Sequence, residues 1–343
     1  MNFGSRFFIW PFRVNQNTQS AAGIDPRMDV HVIATGGTIA STTDTETPGA
    51  TPDLSGDDLI EAVPDLETYA NVTVETLEDR PSFDMSPAVC ARLAARIHEI
   101  GPTVDGVVVT HGTDTLAETA RYLDLTCETP IVATGAQRRP DQLGSDGPTN
   151  LLTAVRAAAH ERVTRGAFIA FDDELHAAST VQKAHTCALD TFQSLEAGPV
   201  ARFTPKRIHW YRESTGAETT LSIPNLEDHP SVSLVVSASG VEGAAFTDAE
   251  ARSDGVVVAG TGFGNTTAAL GEAIADASCP VVITSRCPAG PTEPTYGTVG
   301  GSATLATRDH VWFAHATPWA ARIELILAIA NDCVGERFDT FEE

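Results

Sequence analysis

The strongest constraint on the fold is a regular alternation of short β-branched runs with longer segments of helical periodicity. The strand-like runs in the first half of the chain are Val30–Ala34, Gly106–Thr110, Pro130–Ala133 and Gly166–Phe171. The helical segments between and after them are Pro87–Ile100, Leu116–Leu125 and Asn150–His160. Repeated alternation of strand and helix predicts a parallel sheet covered by helices.

The alternation stops in the polar, proline-containing stretch 191–230 and then resumes. The later strand-like runs are Ser233–Val236, Gly255–Ala259 and Val281–Thr284, and the later helical segments are Thr266–Ala277 and Pro318–Asn331. We therefore predict two α/β domains, a larger N-terminal parallel-sheet domain and a smaller C-terminal flavodoxin/Rossmann-like domain. The predicted boundaries are a flexible tail at 1–28, the first domain at 29–200, a linker at 201–230 and the second domain at 231–343.

The charge and the apolar pattern of the chain argue against nucleic-acid binding and against a membrane span. With 46 acidic and 22 basic residues the formal net charge is −24, so a protein that binds the phosphate backbone of nucleic acids is disfavoured. No apolar run reaches the roughly 18 residues that a membrane-spanning helix needs.

The acidity also suggests adaptation to concentrated salt. Of the 22 basic residues only Lys183 and Lys206 are lysines, and the other 20 are arginines. Molar salt screens the repulsion among carboxylates. An ordinary acidic cytosolic protein is the alternative, but acidity alone does not explain why lysine is depleted while arginine is not.

Cysteine and histidine spacing give no sign of a metal site. The six cysteines are scattered without a C-x-x-C pair, and H-E-x-x-H is absent. Reduced thiols in a cytoplasmic protein are the default interpretation.

Ligands of parallel sheets bind beyond the carboxyl ends of the strands, so the residues that leave each strand carry the functional signal. The first strand exits through Thr35-Gly36-Gly37-Thr38, which is either a tight turn or a phosphate cradle, although no Walker lysine follows. The next exits through His111-Gly112-Thr113-Asp114-Thr115. A hydroxyl beside a carboxylate at a strand end is what an activated alcohol requires.

Capping of helices competes with these functional interpretations. Thr115 and Glu118 fit a capping box, and capping is also a sufficient explanation of Ser145-Asp146-Gly147-Pro148. Two further segments, 82–86 and 134–140, have the right placement for a binding site. Lys183 stands out because a desolvated lysine can lose its proton and arginine cannot, but one of two lysines can also stand there by chance.

Three segments together resemble the L-asparaginase family. They are A-T-G-G-T-I-A at 34–40, V-T-H-G-T-D-T at 109–115 and S-D-G-P-T-N-L at 145–151. The likeness runs from about residue 29 to the C terminus, and Gly297–Gly301 is similar to the archaeal, cytoplasmic-type branch. The resemblance implies hydrolysis of L-asparagine to L-aspartate and ammonia through a threonine acyl-enzyme, without a cofactor.

The resemblance also implies a role for each matching residue. Thr38 would be the nucleophile, and Thr113, Asp114 and Lys183 would form a second hydroxyl–carboxylate–amine group. Asp114 would grip the substrate α-amino group and Ser82 its carboxylate. Gly112 would also line the substrate-binding site. The Gly-rich turn and the backbone of Thr113 would supply the hydrogen-bond donors of the oxyanion hole. The choice of first nucleophile and of the group that takes its proton stays open.

The family generally forms dimers or tetramers with the active site near a subunit boundary, so a homodimer or homotetramer is expected. Glu293 is a candidate contribution from a neighbouring subunit, although an exposed loop carboxylate is the simpler interpretation.

Two departures from the family pattern keep other functions open. The loop Ser41–Asp53 lacks the tyrosine that the family usually places there, and Phe83 follows Ser82 where many relatives have glutamine. One alternative is a glutaminase-asparaginase, because the two amides differ by one methylene. Another is the amidase subunit of an archaeal tRNA-dependent amidotransferase, which carries an additional N-terminal domain that about 28 residues are too few to form. The third is an amino-acid-binding protein on the same scaffold.

Overall fold

The computed structural model of the protein describes residues 28–43, 50–52, 54–213, 216, 220–225, 229–338 and 340–341. Apart from Met28, the predicted tail lies outside these residues. No helix within these ranges is long and apolar enough to cross a membrane.

The strands of the described chain are numbered in order. They are β1 (Asp29–Ala34), β2 (Ser41–Thr43), β3 (Ala50–Pro52), β4 (Asn71–Thr76), β5 (Gly106–Thr110), β6 (Ile131–Thr134), β7 (Ala167–Phe171), β8 (Glu174–Ala177), β9 (Gln182–Lys183), β10 (Phe192–Gln193), β11 (Ala201–Phe203), β12 (Ile208–Trp210), β13 (Val232–Val236), β14 (Gly255–Gly260), β15 (Val281–Ser285) and β16 (Val311–Phe313). The α-helices are α1 (Gly56–Glu61), α2 (Pro87–Ile100), α3 (Leu116–Thr126), α4 (Gly147–Ala158), α5 (Ala244–Glu250), α6 (Ala268–Ala275), α7 (Ser302–Leu305), α8 (Pro318–Ala330) and α9 (Val334–Arg337).

Two main sheets confirm the predicted α/β class. The larger sheet has eight strands in the order β12-β11-β8-β7-β6-β5-β1-β4, and its strands from β4 to β7 run parallel. The smaller sheet has four parallel strands in the order β13-β14-β15-β16. Every residue of β5 and β7 is buried, as expected for central strands covered on both faces.

The larger sheet extends further along the chain than the sequence predicts. Strands β8, β11 and β12 continue it in antiparallel pairing. The first part of the predicted linker 201–230 therefore belongs to this sheet. The short strand β11 alternates buried Ala201 and Phe203 with exposed Arg202, and three residues are too few for that period to stand out in the sequence.

Period-two alternation divides the core of the larger domain into two layers. Val30, Val32 and Val108 face helix α4 and its neighbours. Ile33 and Val109 face helices α2 and α3 on the other side of the sheet. Both layers end at the carboxyl edge of the parallel strands.

Helix α8 of the second domain packs on α3 of the first. Ile323 and Leu327 of α8 join the α3-side core layer. Arg121 of α3 makes ion pairs with Asp124 at 2.9 Å and with Glu324 of α8 at 2.7 Å. Both carboxylates are buried, so each needs its cationic partner. This contact fixes the second domain against the helix that begins directly after Asp114 and Thr115.

Candidate active site

The carboxyl ends of β1 and β5 lie side by side and bring two glycine-containing loops into contact. Gly37 has φ +86°, and a Cβ on it would lie 2.2 Å from the backbone nitrogen of Gly112. Glycine at position 37 is therefore required both by the backbone conformation and by the close approach. Thr38, half-buried, begins a 3₁₀ turn over Thr38–Ala40 directly after this contact.

Ser82 locks onto the backbone that follows β5. Its hydroxyl accepts a hydrogen bond from the Asp114 N–H at 3.2 Å, and its carbonyl accepts one from the Thr115 hydroxyl at 2.7 Å. A Cβ on Gly112 would lie 2.5 Å from the Ser82 hydroxyl oxygen. The loop that carries Ser82 is thus seated directly against Gly112, Asp114 and Thr115.

The prediction that the Thr115 hydroxyl caps α3 is wrong. Thr115 occupies the N-cap position but makes no side-chain capping bond, and its backbone is at φ −120° and ψ 17°. An N-cap residue normally has an extended backbone that directs its side-chain oxygen at the first turn. Here the Thr115 hydroxyl donates to the carbonyl of Ser82 instead.

Replacing Thr115 with valine is expected to raise the KM for the substrate by about tenfold with a smaller effect on kcat. Valine keeps the shape of threonine but removes one of the two donors to the carbonyl of Ser82, which then accepts only from the N–H of Met85, so Ser82 can shift. Steady-state kinetics measure the effect, and Thr115→Ser, which keeps the hydroxyl, is the matched control. An unchanged KM in the valine variant would show that the bond does not position Ser82.

The structure brings together Thr113, Asp114 and Lys183. The Lys183 Nζ donates to the Thr113 hydroxyl at 2.9 Å and to the Asp114 carboxylate at 2.6 Å. Thr113 is buried, the Lys183 side chain is 17% exposed and that of Asp114 is 55% exposed. The amine is therefore largely withdrawn from water while the carboxylate is open to a small ligand. Lys206, the other lysine, is exposed.

Gln137 is a site neighbour that the sequence indicated only as part of the segment 134–140. The Thr113 hydroxyl, which accepts from Lys183, donates to the Gln137 Oε1 at 3.3 Å. The backbone N–H of Gln137 donates in turn to the Asp146 carboxylate at 3.0 Å. This chain of hydrogen bonds orients the hydroxyl proton of Thr113 away from the amine.

Capping does not explain Asp146, contrary to the sequence interpretation. Asp146 precedes α4 without a side-chain capping bond. Its carboxylate accepts from the backbone N–H groups of Gln137 and Arg138 and from the Asn150 side chain. The residue therefore holds the loop after β6, and the acid–amide pair one helical turn apart, Asp146 and Asn150, is the signal that could have revealed it.

His111 is a structural element of the site. Its Nδ1 donates to the carbonyl of Gly112 at 2.6 Å, so its Nε2 accepts from the Thr119 hydroxyl at 3.0 Å. Complete burial lowers the pKa of His111 to about 4. The ring is thus neutral at physiological pH and fixes the backbone at Gly112.

The remaining predicted features lie apart from this cluster. Glu293 is exposed in the loop after β15, and its backbone carbonyl accepts from Ser302. Strands β2 and β3 pair as a hairpin, but residues 44–49 and 53 of the loop that lacks a tyrosine lie outside the described chain. No group of three or more His, Cys, Asp or Glu residues in the described ranges is placed to hold a metal ion.

Comparison with known proteins identifies the family. Residues 29–216 match the family model "Asparaginase, N-terminal", and residues 231–340 match "Glutaminase/Asparaginase C-terminal domain". A probable L-asparaginase of Deinococcus radiodurans is 34% identical over 307 residues, which cover 88% of this chain and 92% of the relative. A glutamyl-tRNA(Gln) amidotransferase subunit of Haloquadratum walsbyi is 32% identical over 339 residues, covering 92% of this chain and 75% of that relative.

A solved structure agrees with these sequence comparisons. The crystal structure of a probable cytoplasmic L-asparaginase from Campylobacter jejuni superposes with a TM-score of 0.78 at 29% identity, covering 88% of this chain and 95% of that one. The first family model alone matches more than half of the chain. The protein therefore belongs to the asparaginase family.

Proposed function

We propose that the protein is an L-asparaginase, which hydrolyses the side-chain amide of L-asparagine to L-aspartate and ammonia. The observation that carries the proposal is the Lys183 amine bonded to both Thr113 and Asp114 at the carboxyl end of β5. The loop with Thr38 lies against the same backbone through the contact of Gly37 with Gly112. Relatives that are named L-asparaginases and align with most of the chain support the same reaction.

The proposed chemistry is acyl transfer in two steps. In the first, the hydroxyl of Thr38 attacks the amide carbon, the C–N bond breaks, and the proton that the hydroxyl loses is delivered through the site to the leaving nitrogen, which departs as ammonia. In the second, water attacks the threonine ester, which returns the hydroxyl and releases aspartate. Backbone N–H groups of the Gly-rich turn and of Thr113 are the proposed oxyanion donors.

The group formed by Thr113, Asp114 and Lys183 is proposed to handle the protons. In its neutral form Lys183 can accept a proton from the Thr113 hydroxyl, 2.9 Å away, once that hydroxyl rotates from Gln137 toward the amine. Asp114 stabilises the ammonium that results, 2.6 Å away. Attack by Thr113 in place of Thr38 is the other order that this arrangement allows.

Substrate binding is assigned to the open side of the same cluster. The exposed carboxylate of Asp114 is available for the α-ammonium group of the substrate. Ser82 accepts a hydrogen bond from Asp114, so its own hydroxyl proton is free to donate to the substrate carboxylate. No metal or organic cofactor is required by these steps.

Several properties of the whole protein belong to the proposal. We propose cytoplasmic activity at high salt, supported by the charge of −24, the scarcity of lysine and six cysteines that are free thiols. Homodimers or homotetramers are proposed from the family resemblance. The division into a first domain at 29–200, a linker at 201–230 and a second domain at 231–343 also remains a proposal, amended by moving β11 and β12 from the linker to the first domain.

The amidase subunit of a tRNA-dependent amidotransferase is the second candidate. The match to the amidotransferase relative of Haloquadratum walsbyi over 92% of this chain favours it. An amidase subunit would release little ammonia from free asparagine on its own, whereas an asparaginase needs no partner.

The test is ammonia release by the purified protein from L-asparagine and from L-glutamine, in KCl from dilute to molar concentration. We expect release from asparagine that increases with salt, because screening stabilises the acidic fold. No release from asparagine at any salt concentration at which circular dichroism reports a folded protein would contradict the proposal. Calorimetry that showed asparagine binding without ammonia release would instead support an amino-acid-binding protein.

A further inference from the structure

The strand that carries Lys183 is short for an element that must place a catalytic amine. Strand β9 has two residues and pairs only with the two residues of β10. Successive side chains of a strand point to opposite sides. Lys183 points to Thr113 and Asp114, so the preceding residue, Gln182, points away from them.

Gln182 bonds to the second domain. Its side-chain Nε2 donates to the carbonyl of Pro288 at 2.8 Å, and the residue is only 8% exposed. The loop that carries Pro288 follows β15 and is itself anchored: the Arg286 N–H donates to the Gly260 carbonyl at 2.8 Å and the Cys287 N–H to the Ser285 hydroxyl at 3.1 Å. The carbonyl of Pro288 is thus a fixed acceptor.

The surroundings of this hydrogen bond are not close-packed. A cavity of about 340 Å³ lies between the domains, with the segments 179–182 and 195–197 on one side and 285–290 and 315–320 on the other. The Gln182–Pro288 hydrogen bond thus lies at the wall of this cavity and joins the two domains directly.

A second contact between the domains, an ion pair, lies across the same cavity and involves no residue of β9. The carboxylate of Glu196 pairs with His315 at 2.9 Å and accepts from the backbone N–H of Gly290. Both side chains are about half exposed. This ion pair joins the same two domains without touching β9.

We infer that Gln182 is a positioning residue through which the second domain holds the Lys183 amine against Thr113 and Asp114. The inference rests on the proposed function only for its effect on catalysis. Its structural content is that the Gln182–Pro288 bond limits the movement of Lys183.

The kinetic test replaces Gln182 with methionine, which has nearly the same length and no donor. We expect kcat to fall about tenfold with KM changed less than about twofold, because a small displacement of the amine slows proton transfer more than it weakens binding. Glu196→Gln, which weakens the second contact between the domains, is the matched control and should keep kcat within about twofold of the unsubstituted protein. Equal losses in both variants would mean that domain contact in general, not Gln182, matters.

A glutamate at position 182 adds a pH readout that a purely structural role would not move. Glutamate has the shape of glutamine but donates to the Pro288 carbonyl only when it is protonated. The ratio of kcat for Gln182→Glu to kcat for the unsubstituted protein should therefore rise as pH falls, while the ratio for Gln182→Met stays flat. A flat ratio in both variants would overturn the inference.

Chemical labelling tests the inference without any enzymatic activity. The chain has only two lysines, so acetylation by an N-hydroxysuccinimide ester can be followed at Lys183 and at exposed Lys206 by mass spectrometry. We expect the rate at Lys183, relative to that at Lys206, to rise about fivefold or more in Gln182→Met and to stay unchanged in Glu196→Gln. If the protein released no ammonia from asparagine, the proposed function would fail while this measurement still decided the inference. An unchanged rate at Lys183 in Gln182→Met would overturn it.

Discussion

Replacing Thr38 with alanine is expected to lower asparagine turnover by about a hundredfold or more while leaving the protein folded. The substitution removes one hydroxyl from a half-buried position after the contact of Gly37 with Gly112, so the backbone that places the site is unchanged. Alanine offers no nucleophile, and any residual rate would come from binding and oxyanion stabilisation alone. Ammonia release under substrate saturation measures the effect.

Thr113→Ala is expected to cost as much, for a different reason. The hydroxyl of Thr113 is the acceptor of the Lys183 amine and is itself oriented by Gln137, so its removal disconnects the amine from the reacting centre. The double variant Thr38→Ala/Thr113→Ala should be about as slow as either single variant, because groups that act as a unit are not additive.

The matched control for both substitutions is Thr129→Ala. Thr129 is a partly exposed threonine that precedes β6, at the edge of the sheet opposite the site. Its replacement should leave turnover unchanged. Full activity in either Thr38→Ala or Thr113→Ala would contradict the proposed asparaginase mechanism.

Features with a local cause in the chain could be predicted from the sequence. The runs that become β5, β6 and β7 are buried at every residue, which makes them near-continuous apolar segments, and β1 is buried from Val32 to Ala34. The rule that ligands bind at the carboxyl ends of parallel strands directed attention to the loops after β1 and β5. The proximity of Thr113, Asp114 and Lys183 was expected only through the family resemblance, since 69 residues separate Asp114 from Lys183.

Features that depend on which partner is close in space could not be predicted. Thr115 and Asp146 both stand directly before helices, where capping is the usual use of their side chains. The fold instead places the carbonyl of Ser82 beside Thr115 and the backbone N–H of Gln137 beside Asp146. The two side chains form hydrogen bonds with these groups and not with the first turns of their helices. The contact of Gln182 with Pro288 joins residues 106 positions apart and has no sequence signature.

The composition of the chain nevertheless led to one specific residue. Lysine is scarce in this chain and arginine is not, because Lys183 and Lys206 are the only lysines among the 22 basic residues. Lysine is retained where its chemistry differs from that of arginine. The structure gives this interpretation a geometric basis, because Lys183 is largely buried and bonded to Thr113 and Asp114 while Lys206 is exposed.

Lys183→Arg is therefore expected to reduce kcat by about a hundredfold or more although it preserves the charge. The guanidinium group stays protonated at every pH at which the protein is folded, so it can pair with Asp114 but cannot accept a proton from Thr113. Because the ion pair survives, the denaturant midpoint of unfolding should change little. Lys206→Arg is the matched control and should leave both kcat and stability unchanged. If Lys183→Arg kept most of the activity, the amine would act only as a fixed positive charge, and the base would have to be another group. The shape of the pH profile of kcat in this variant would then distinguish electrostatic from proton-transfer catalysis.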